Sequence, residues 1–227
     1  MKKIIGTIIL LMSGLVAVNA QPVLAVGVRG IYSTSAGSSI ENGFKTIWDN
    51  AVYTNPNLGP SFSSDLKAKA EGGGGFALFA KVPLGKRLGA QIEFGWTYQK
   101  VGLQFIVEHP RYGKFDENDS ISFNTMNLPF MLTFDIVQTK NFILAPMAGL
   151  YIAKPLVYTS GFLEATINST ALFGAIFGGS ATVRLGKVGL VADIRYNIGF
   201  NSLIADNTTL FTPNSLQISG GLAILMN

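Results

Sequence analysis

Few side chains in this sequence could carry acid–base, nucleophilic or metal chemistry. The chain has one histidine, His109, and no cysteine. A zinc site needs several histidine or cysteine ligands, and a nucleophilic site needs a serine and a base within hydrogen-bond reach. Nothing sets a serine and a carboxylate beside His109, and the acidic stretch 116–119 lacks the spacing of a calcium-binding loop. We therefore expect no catalytic residue, no metal site and no cofactor.

The remaining chemistry lies in charged residues that alternate with apolar residues. Six of them fall on the polar face of a predicted strand: Arg29, Lys81, Glu93, Arg184, Asp193 and Arg195. If this face lines a narrow interior, these charges must pair, because an unpaired buried charge is costly. We expect the two carboxylates to pair with one or more of the three arginines, and Asp135 is a further candidate. Such a cluster would either plug the interior or line a conduction path.

Period-two alternation is the dominant pattern of the sequence, and it predicts strands with two unlike faces. In the stretch 88–99, one face carries Leu88, Ala90, Ile92, Phe94, Trp96 and Tyr98. In the stretch 188–201, one face carries Val188, Leu190, Ala192, Ile194, Tyr196, Ile198 and Phe200. Weaker copies bring the total to about eight strands, an even number that suits an up-and-down barrel. The stretch 142–153 is apolar on both faces, so its orientation stays open.

The connections between these strands alternate in length. Short ones are expected at 83–87, 137–141 and 186–187, and long ones at about 33–71, 108–120, 154–168 and 201–213. Short turns at one end and long loops at the other are typical of the periplasmic and extracellular ends of an outer-membrane barrel. The predicted fold is thus all-β, an eight-stranded antiparallel up-and-down transmembrane β-barrel.

Composition favours a membrane protein without spanning helices. The 227 residues are 48% hydrophobic and only 13% charged, with a mean hydropathy of +0.36. Past the first twenty residues, no apolar run approaches the ~18 residues that a spanning helix needs. A closed β-barrel is the other structure that satisfies its backbone hydrogen bonds in lipid.

Residue size indicates which face of the barrel meets lipid. The polar face is rich in glycine, which suits the narrow interior of an eight-stranded barrel. The apolar face carries bulky residues, and four of its aromatics lie near the outer ends of outgoing strands, as in an aromatic girdle: Trp96, Tyr98, Tyr196 and Phe200. The alternative is a soluble, lipocalin-like carrier with its apolar face inside.

Residues 1–20 have the features of a cleaved signal peptide. Lys2 and Lys3 precede an apolar stretch, and Val18-Asn19-Ala20 offers small residues for cleavage before Gln21. A short membrane anchor is the alternative. Without Lys2 and Lys3, 15 basic residues face 13 acidic ones, so we expect no nucleic-acid partner. The barrel domain is predicted over 21–227.

The first long loop, about 33–71, is longer than a simple connector needs to be. Within it Ile40, Phe44, Ile47 and Trp48 fall at helical spacing. This apolar stripe would either pack over the barrel mouth or present a partner-binding surface outside the cell.

Six segments resemble the PorT-like family of small outer-membrane β-barrels. They are 75–88 (GFALFAKVPLGKRL), 91–95 (QIEFG), 98–102 (YQKVG), 127–132 (NLPFML), 193–200 (DIRYNIGF) and 214–221 (NSLQISGG). Asn127 stands where the family commonly has an acidic residue. The resemblance implies an outer-membrane barrel, and one member of the family is associated with protein secretion.

Taken together, these patterns predict an outer-membrane barrel of a Gram-negative-type bacterium with a plugged polar lumen and a structural or partner-binding role. The alternatives are a narrow channel for small solutes and a secretion-associated barrel. Expected partners are outer-membrane lipid, the barrel-assembly machinery during insertion, and an extracellular or secretion-machinery protein.

Overall fold

The computed structural model describes residues 25–35, 63–109, 113–160, 171–200 and 214–226, and every regular element in them is a β-strand. The strands are β1 (Ala25–Ser35), β2 (Ser63–Pro83), β3 (Leu88–His109), β4 (Gly113–Phe134), β5 (Val137–Gln138), β6 (Phe142–Ser160), β7 (Leu172–Leu185), β8 (Val188–Gly199) and β9 (Ser215–Leu225). In these ranges no helix is long and apolar enough to cross a membrane. The predicted signal peptide lies outside the described residues.

The strands close into a barrel. Each long strand pairs antiparallel with its neighbours in sequence, β1 pairs with β9, and β4 pairs directly with β6. The two-residue strand β5 only extends the turn between β4 and β6, where Val137 pairs with Leu144. Eight long strands therefore form the wall, and the predicted up-and-down barrel is confirmed.

The pairing register makes the barrel narrow and its strands strongly tilted. Following partners around the wall from Ala25 leads back to β1 at Ser35, through Lys81, Gln91, Met131, Gly149, Ile176, Asn197 and Ser215. This offset along β1 corresponds to a strand tilt of about 35–45°. An eight-stranded barrel of this kind has an interior that side chains can fill.

Apolar side chains cover the outside of the barrel in a belt, defined by outward residues of all eight long strands: Val26, Val28, Leu78, Phe94, Phe130, Leu150, Phe177, Ile194 and Leu222. On β3 the belt runs from Leu88 to Tyr98, about 33 Å along the strand and about 25 Å across the membrane after tilting. Phe94 and Ile194 are 53% and 54% exposed. The apolar face is thus the outer one, which excludes the lipocalin-like alternative.

In β6 the side chains that face the lumen are as apolar as those that face outward. Its inward residues Ile143, Ala145 and Met147 are buried, whereas Leu150 and Ile152 are exposed on the outside. Both sets are apolar, so alternation alone could not assign them.

Parts of β2, β3 and β4 continue well beyond the belt and form an outer extension, defined as residues 63–71, 99–109 and 113–124. Here the polarity of the two faces is reversed. Val101, Leu103 and Phe105 are buried on the inward side of β3, while Lys100 and Gln104 lie on its outer side. A bulge between Ala70 and Gly72 marks the same level on β2. The strands leave the lipid at this level, because a polar outer face requires water.

Strands that are longer than expected correct three predicted loop boundaries. The segment between β1 and β2 is 36–62 rather than 33–71, the connection predicted over 108–120 contains mostly paired strand, and β6 runs on to Ser160. The outer side chains of the extension are mostly polar, as in a surface loop. Polar and apolar residues nevertheless continue to alternate along its strands. The stripe Ile40, Phe44, Ile47 and Trp48, like the loop 201–213, lies outside the described residues.

Candidate functional site

The lumen holds two arginines and two carboxylates in direct contact near its middle. This lumen cluster consists of Arg29 on β1, Glu93 on β3, and Asp193 and Arg195 on β8, all buried at 2–5% exposure. Arg195 donates from Nη1 to Glu93 Oε2 at 2.8 Å and from Nη2 to Glu93 Oε1 at 2.7 Å. This two-point pairing joins β8 to β3, which lie far apart in the order of the wall.

The second arginine completes the charge balance of the lumen cluster. Arg29 Nη2 lies 3.2 Å from Glu93 Oε1, and Arg29 also forms an ion pair with Asp193. None of the Arg29 side-chain N–H groups is aligned for a hydrogen bond among the described residues. Its guanidinium carbon lies 4.1 Å from the centre of the Phe79 ring. Arg29 is therefore held by charge and by a cation–π contact.

Neutral neighbours hold the carboxylates in place. Gln91 Nε2 donates to Glu93 Oε1 at 2.5 Å, and Ser219 Oγ donates to Asp193 Oδ2 at 3.1 Å. Arg195 Nη2 also donates to Asp193 Oδ2 at 2.8 Å. Each carboxylate thus contacts both arginines and one neutral donor, as buried charges require.

Glycines on the adjacent strands make room for the arginines. Gly221 is the partner of Arg29, and Gly178 is the partner of Arg195. A Cβ atom on Gly221 would lie 2.1 Å from the Val28 carbonyl oxygen and 2.7 Å from Arg29 Cα. The inward-facing glycines Gly178 and Gly221 thus leave the lumen wide enough for the two guanidinium groups.

The outer side of the lumen cluster faces a small neutral cavity of about 50 Å³, lined in part by Glu93 and Arg195. Its other polar walls are amides and hydroxyls. Asn127 Nδ2 donates to Thr97 Oγ1 at 2.8 Å, and Asn197 Nδ2 donates to Ser215 Oγ at 3.1 Å. A space of this volume and polarity suits a few water molecules.

The opposite side of the lumen cluster faces a larger cavity of about 220 Å³, which we name the short-turn vestibule. Lys81, Lys140 and Arg184 are among its lining residues. Lys81 Nζ lies 3.4 Å from Asp135 Oδ1. The vestibule lies at the barrel end where β4 and β6, and β7 and β8, are joined by short turns.

The structure thus separates the charges that the sequence grouped together. Four of the six lie in the lumen cluster, while Lys81 and Arg184 face inward at the vestibule and do not reach it. Sequence reasoning missed the contributions of Phe79, Gln91 and Ser219. All three residues lie on the inward face of their strands. The period-two alternation that assigned the charges to this face could therefore have assigned these neighbours to it as well.

The four aromatics predicted for the girdle lie on the outer face, Trp96 and Tyr98 at the outer edge of the belt on β3 and Tyr196 and Phe200 near the outer end of β8. Trp96 lies beside Phe76 with ring centres 5.9 Å apart. Phe200 meets the edge of Phe173 at 6.3 Å. Aromatic residues at this level suit the boundary between lipid and headgroups.

His109 is the last residue of β3, and its backbone pairs with Gly113 at the start of β4. In the described part of the chain, no group of three or more histidine, aspartate or glutamate side chains could hold a metal ion.

The closed antiparallel barrel with its lipid-facing belt makes this chain an integral outer-membrane β-barrel protein. No model of a protein family matches the sequence, and no curated protein matches it. Among solved structures, Ail from Yersinia pestis, crystallised with the heparin analogue sucrose octasulfate, is 12% identical over 90% of this chain and 100% of its own, with a TM-score of 0.42. The outer membrane protein OprG from Pseudomonas aeruginosa is 10% identical over 89% of this chain and 93% of its own, with a TM-score of 0.45.

Proposed function

We propose that this outer-membrane barrel is non-catalytic, that the lumen cluster closes it, and that it has a structural or partner-binding role outside the cell. The observation that carries the proposal is the two-point pairing of Arg195 with Glu93 across the lumen. A solute on its way through would have to separate these charges inside a narrow, poorly hydrated space. Breaking a buried ion pair there is costly.

The size of the outer cavity supports a closed lumen. Above the lumen cluster the free space is about 50 Å³, which a few water molecules fill. Arg29 and Arg195 each contact both carboxylates. Breaking one ion pair therefore leaves the other three in place, and the lumen stays closed.

Conductance in planar bilayers tests the closure. We expect the unaltered protein to give no steady conductance. The double variant Glu93→Ala/Arg195→Ala removes one charge of each sign, leaves Arg29 paired with Asp193, and is expected to conduct small ions. Lys187→Ala, in the short turn between β7 and β8, is the control and should behave like the unaltered protein. Free passage of sugars into liposomes carrying the unaltered protein would replace this proposal with a solute channel.

The outer extension supports a role in binding outside the cell. It carries three strands about ten residues beyond the belt, about 33 Å measured along a strand. Its outer face is polar and charged, with Lys67 and Lys69 exposed and Lys114 near Asp116. A barrel that only filled space in the membrane would not need such an extension, and surface segments on a rigid scaffold commonly carry binding functions.

Single cysteines can test this orientation, because the natural chain has none. Lys69→Cys places a thiol on the outer extension, and Lys86→Cys places one in the short turn after β2. A maleimide too large to pass porins should label Lys69→Cys on intact cells and label Lys86→Cys only after the outer membrane is opened. The reverse pattern would put the extension in the periplasm and end the proposal of an extracellular partner.

A further inference from the structure

Among the described residues, the short-turn vestibule has more positive than negative charge. Its lining includes Lys81, Lys140 and Arg184, and the acidic neighbour in contact with one of them is Asp135, beside Lys81. We propose that the vestibule is a binding site for a small oxyanion, a phosphate or carboxylate group, that enters from the periplasmic end of the barrel.

A backbone hydrogen bond joins the two segments that carry Arg184 and Lys140. The Arg184 N–H donates to the Asn141 carbonyl oxygen at 2.7 Å, which ties the end of β7 to the turn that carries Lys140. Neither Arg184 nor Lys140 forms an ion pair among the described residues. Among the described residues, the β6–β7 pairing and not a carboxylate therefore sets the positions of their backbones.

The charged residues of the vestibule are less buried than those of the lumen cluster. The cluster is closed off from water and is electrically balanced, with two cations and two carboxylates. In the vestibule Arg184 is half-buried and Lys140 is exposed, so both side chains remain in contact with water. Low-dielectric walls around a set of like charges concentrate the field and attract a counter-ion.

The rest of the lining fits the proposed ligand. Ser180, Thr182 and Asn141 contribute neutral hydrogen-bond donors to the same lining. An arginine fork with several neutral donors is the usual way that proteins hold phosphate and carboxylate oxygens.

The floor of the vestibule is apolar. Ala25, Phe79 and Ala223 form a buried group there, with Val191 and Leu225 packed against it. All five also line the cavity. With about 220 Å³ available, the site has room for an anionic head and a short carbon body.

Isothermal titration of the purified protein in a non-ionic detergent tests the site, with inorganic phosphate and hexanoate as separate probes. Saturable binding of phosphate alone would assign a phosphate group, and binding of hexanoate alone or of both would assign a carboxylate with an apolar tail. For the probe that binds, we expect Arg184→Gln and Lys140→Gln each to raise the dissociation constant about tenfold, as the loss of one charge-assisted hydrogen bond predicts.

Lys187→Gln is the matched control, because it removes the same charge from the same end of the barrel but does not line the cavity. Its dissociation constant should equal that of the unaltered protein. Two results would overturn the proposal: no saturable binding of either probe up to 20 mM, or equal weakening by Lys187→Gln, which would show only a diffuse attraction to the basic end. Conductance plays no part in these measurements, so they stand apart from the test of the closed lumen.

Discussion

The lumen cluster and the short-turn vestibule lie in the same narrow barrel but differ in charge balance. In the cluster, four charges at 2–5% exposure are matched two against two. In the vestibule, three cations share a wetter space with one carboxylate in contact. Burial makes balance obligatory in the first region, because a lone charge there would lack both water and a partner. In the vestibule, contact with water lowers the cost of unpaired positive charge. An anionic ligand would then bind to that charge.

Glu93→Gln should have the largest effect on stability. It leaves Arg29 and Arg195 buried with Asp193 as their one carboxylate, so we expect the free energy of unfolding to fall by about 3–5 kcal/mol. Urea titration of the protein in phospholipid vesicles, followed by tryptophan fluorescence, measures this change.

A second variant separates charge balance from lost packing. Glu93→Gln/Arg29→Met removes one charge of each sign and should lose less than the sum of its two single variants, since the remaining Arg195 and Asp193 stay paired at 2.8 Å. Strict additivity would mean that the two side chains do not act as parts of one balanced cluster.

Arg195→Lys should have the next largest effect. Lysine keeps the charge but cannot reproduce the paired contacts of the guanidinium group with Glu93. We expect a loss of about 1.5–3 kcal/mol, the range for a hydrogen bond between charged groups. The same replacement in the vestibule, Arg184→Lys, should leave the free energy of unfolding unchanged. Equal losses at the two positions would remove the distinction between the regions.

Gly221→Ala tests whether the lumen cluster depends on inward glycine. The new Cβ would meet the Val28 carbonyl oxygen and the backbone of Arg29, and overpacking of this kind costs about 1–3 kcal/mol. Gly220→Ala is the control one residue away, where a Cβ meets nothing within 4 Å. The difference between the two unfolding curves gives the effect of crowding, and identical curves would show that the wall yields at Gly221.

The sequence predicted which charges face inward, because parity along a strand decides the face. It did not predict which of them meet. Arg184 and Arg195 share the inward face, but Arg184 lies beside the turn at 186–187, opposite Gly189, whereas Arg195 lies near mid-height. Counting residues from that turn would have separated them. The contact of Arg195 with Glu93 also depends on the offset at which the barrel closes, and this offset is a property of all the strand pairs together.

Two other parts of the fold could not be predicted from alternation, for opposite reasons. In β6 both faces are apolar, so parity carries no information about orientation. In the outer extension the alternation persists, but the apolar residues Val101, Leu103 and Phe105 take the inward positions that polar residues occupy lower on β3. A rule that equates apolar with outward therefore fails where the strand leaves the lipid. The change at Lys100, where the first charge appears on the outer face of β3, was the available signal.

Arg184→Gln should have the smallest effect on stability and gives the most direct test of the contrast between the regions. Because Arg184 has no ion pair among the described residues and remains in contact with water, its loss should change the free energy of unfolding by no more than about 0.5 kcal/mol. Any gain from reduced repulsion with Lys81 and Lys140 should shrink in high salt, since screening weakens interactions between exposed charges. Urea titrations at low and high salt measure both quantities. A loss above about 1 kcal/mol would make Arg184 a structural residue like Arg195, and the vestibule would then be a second plug.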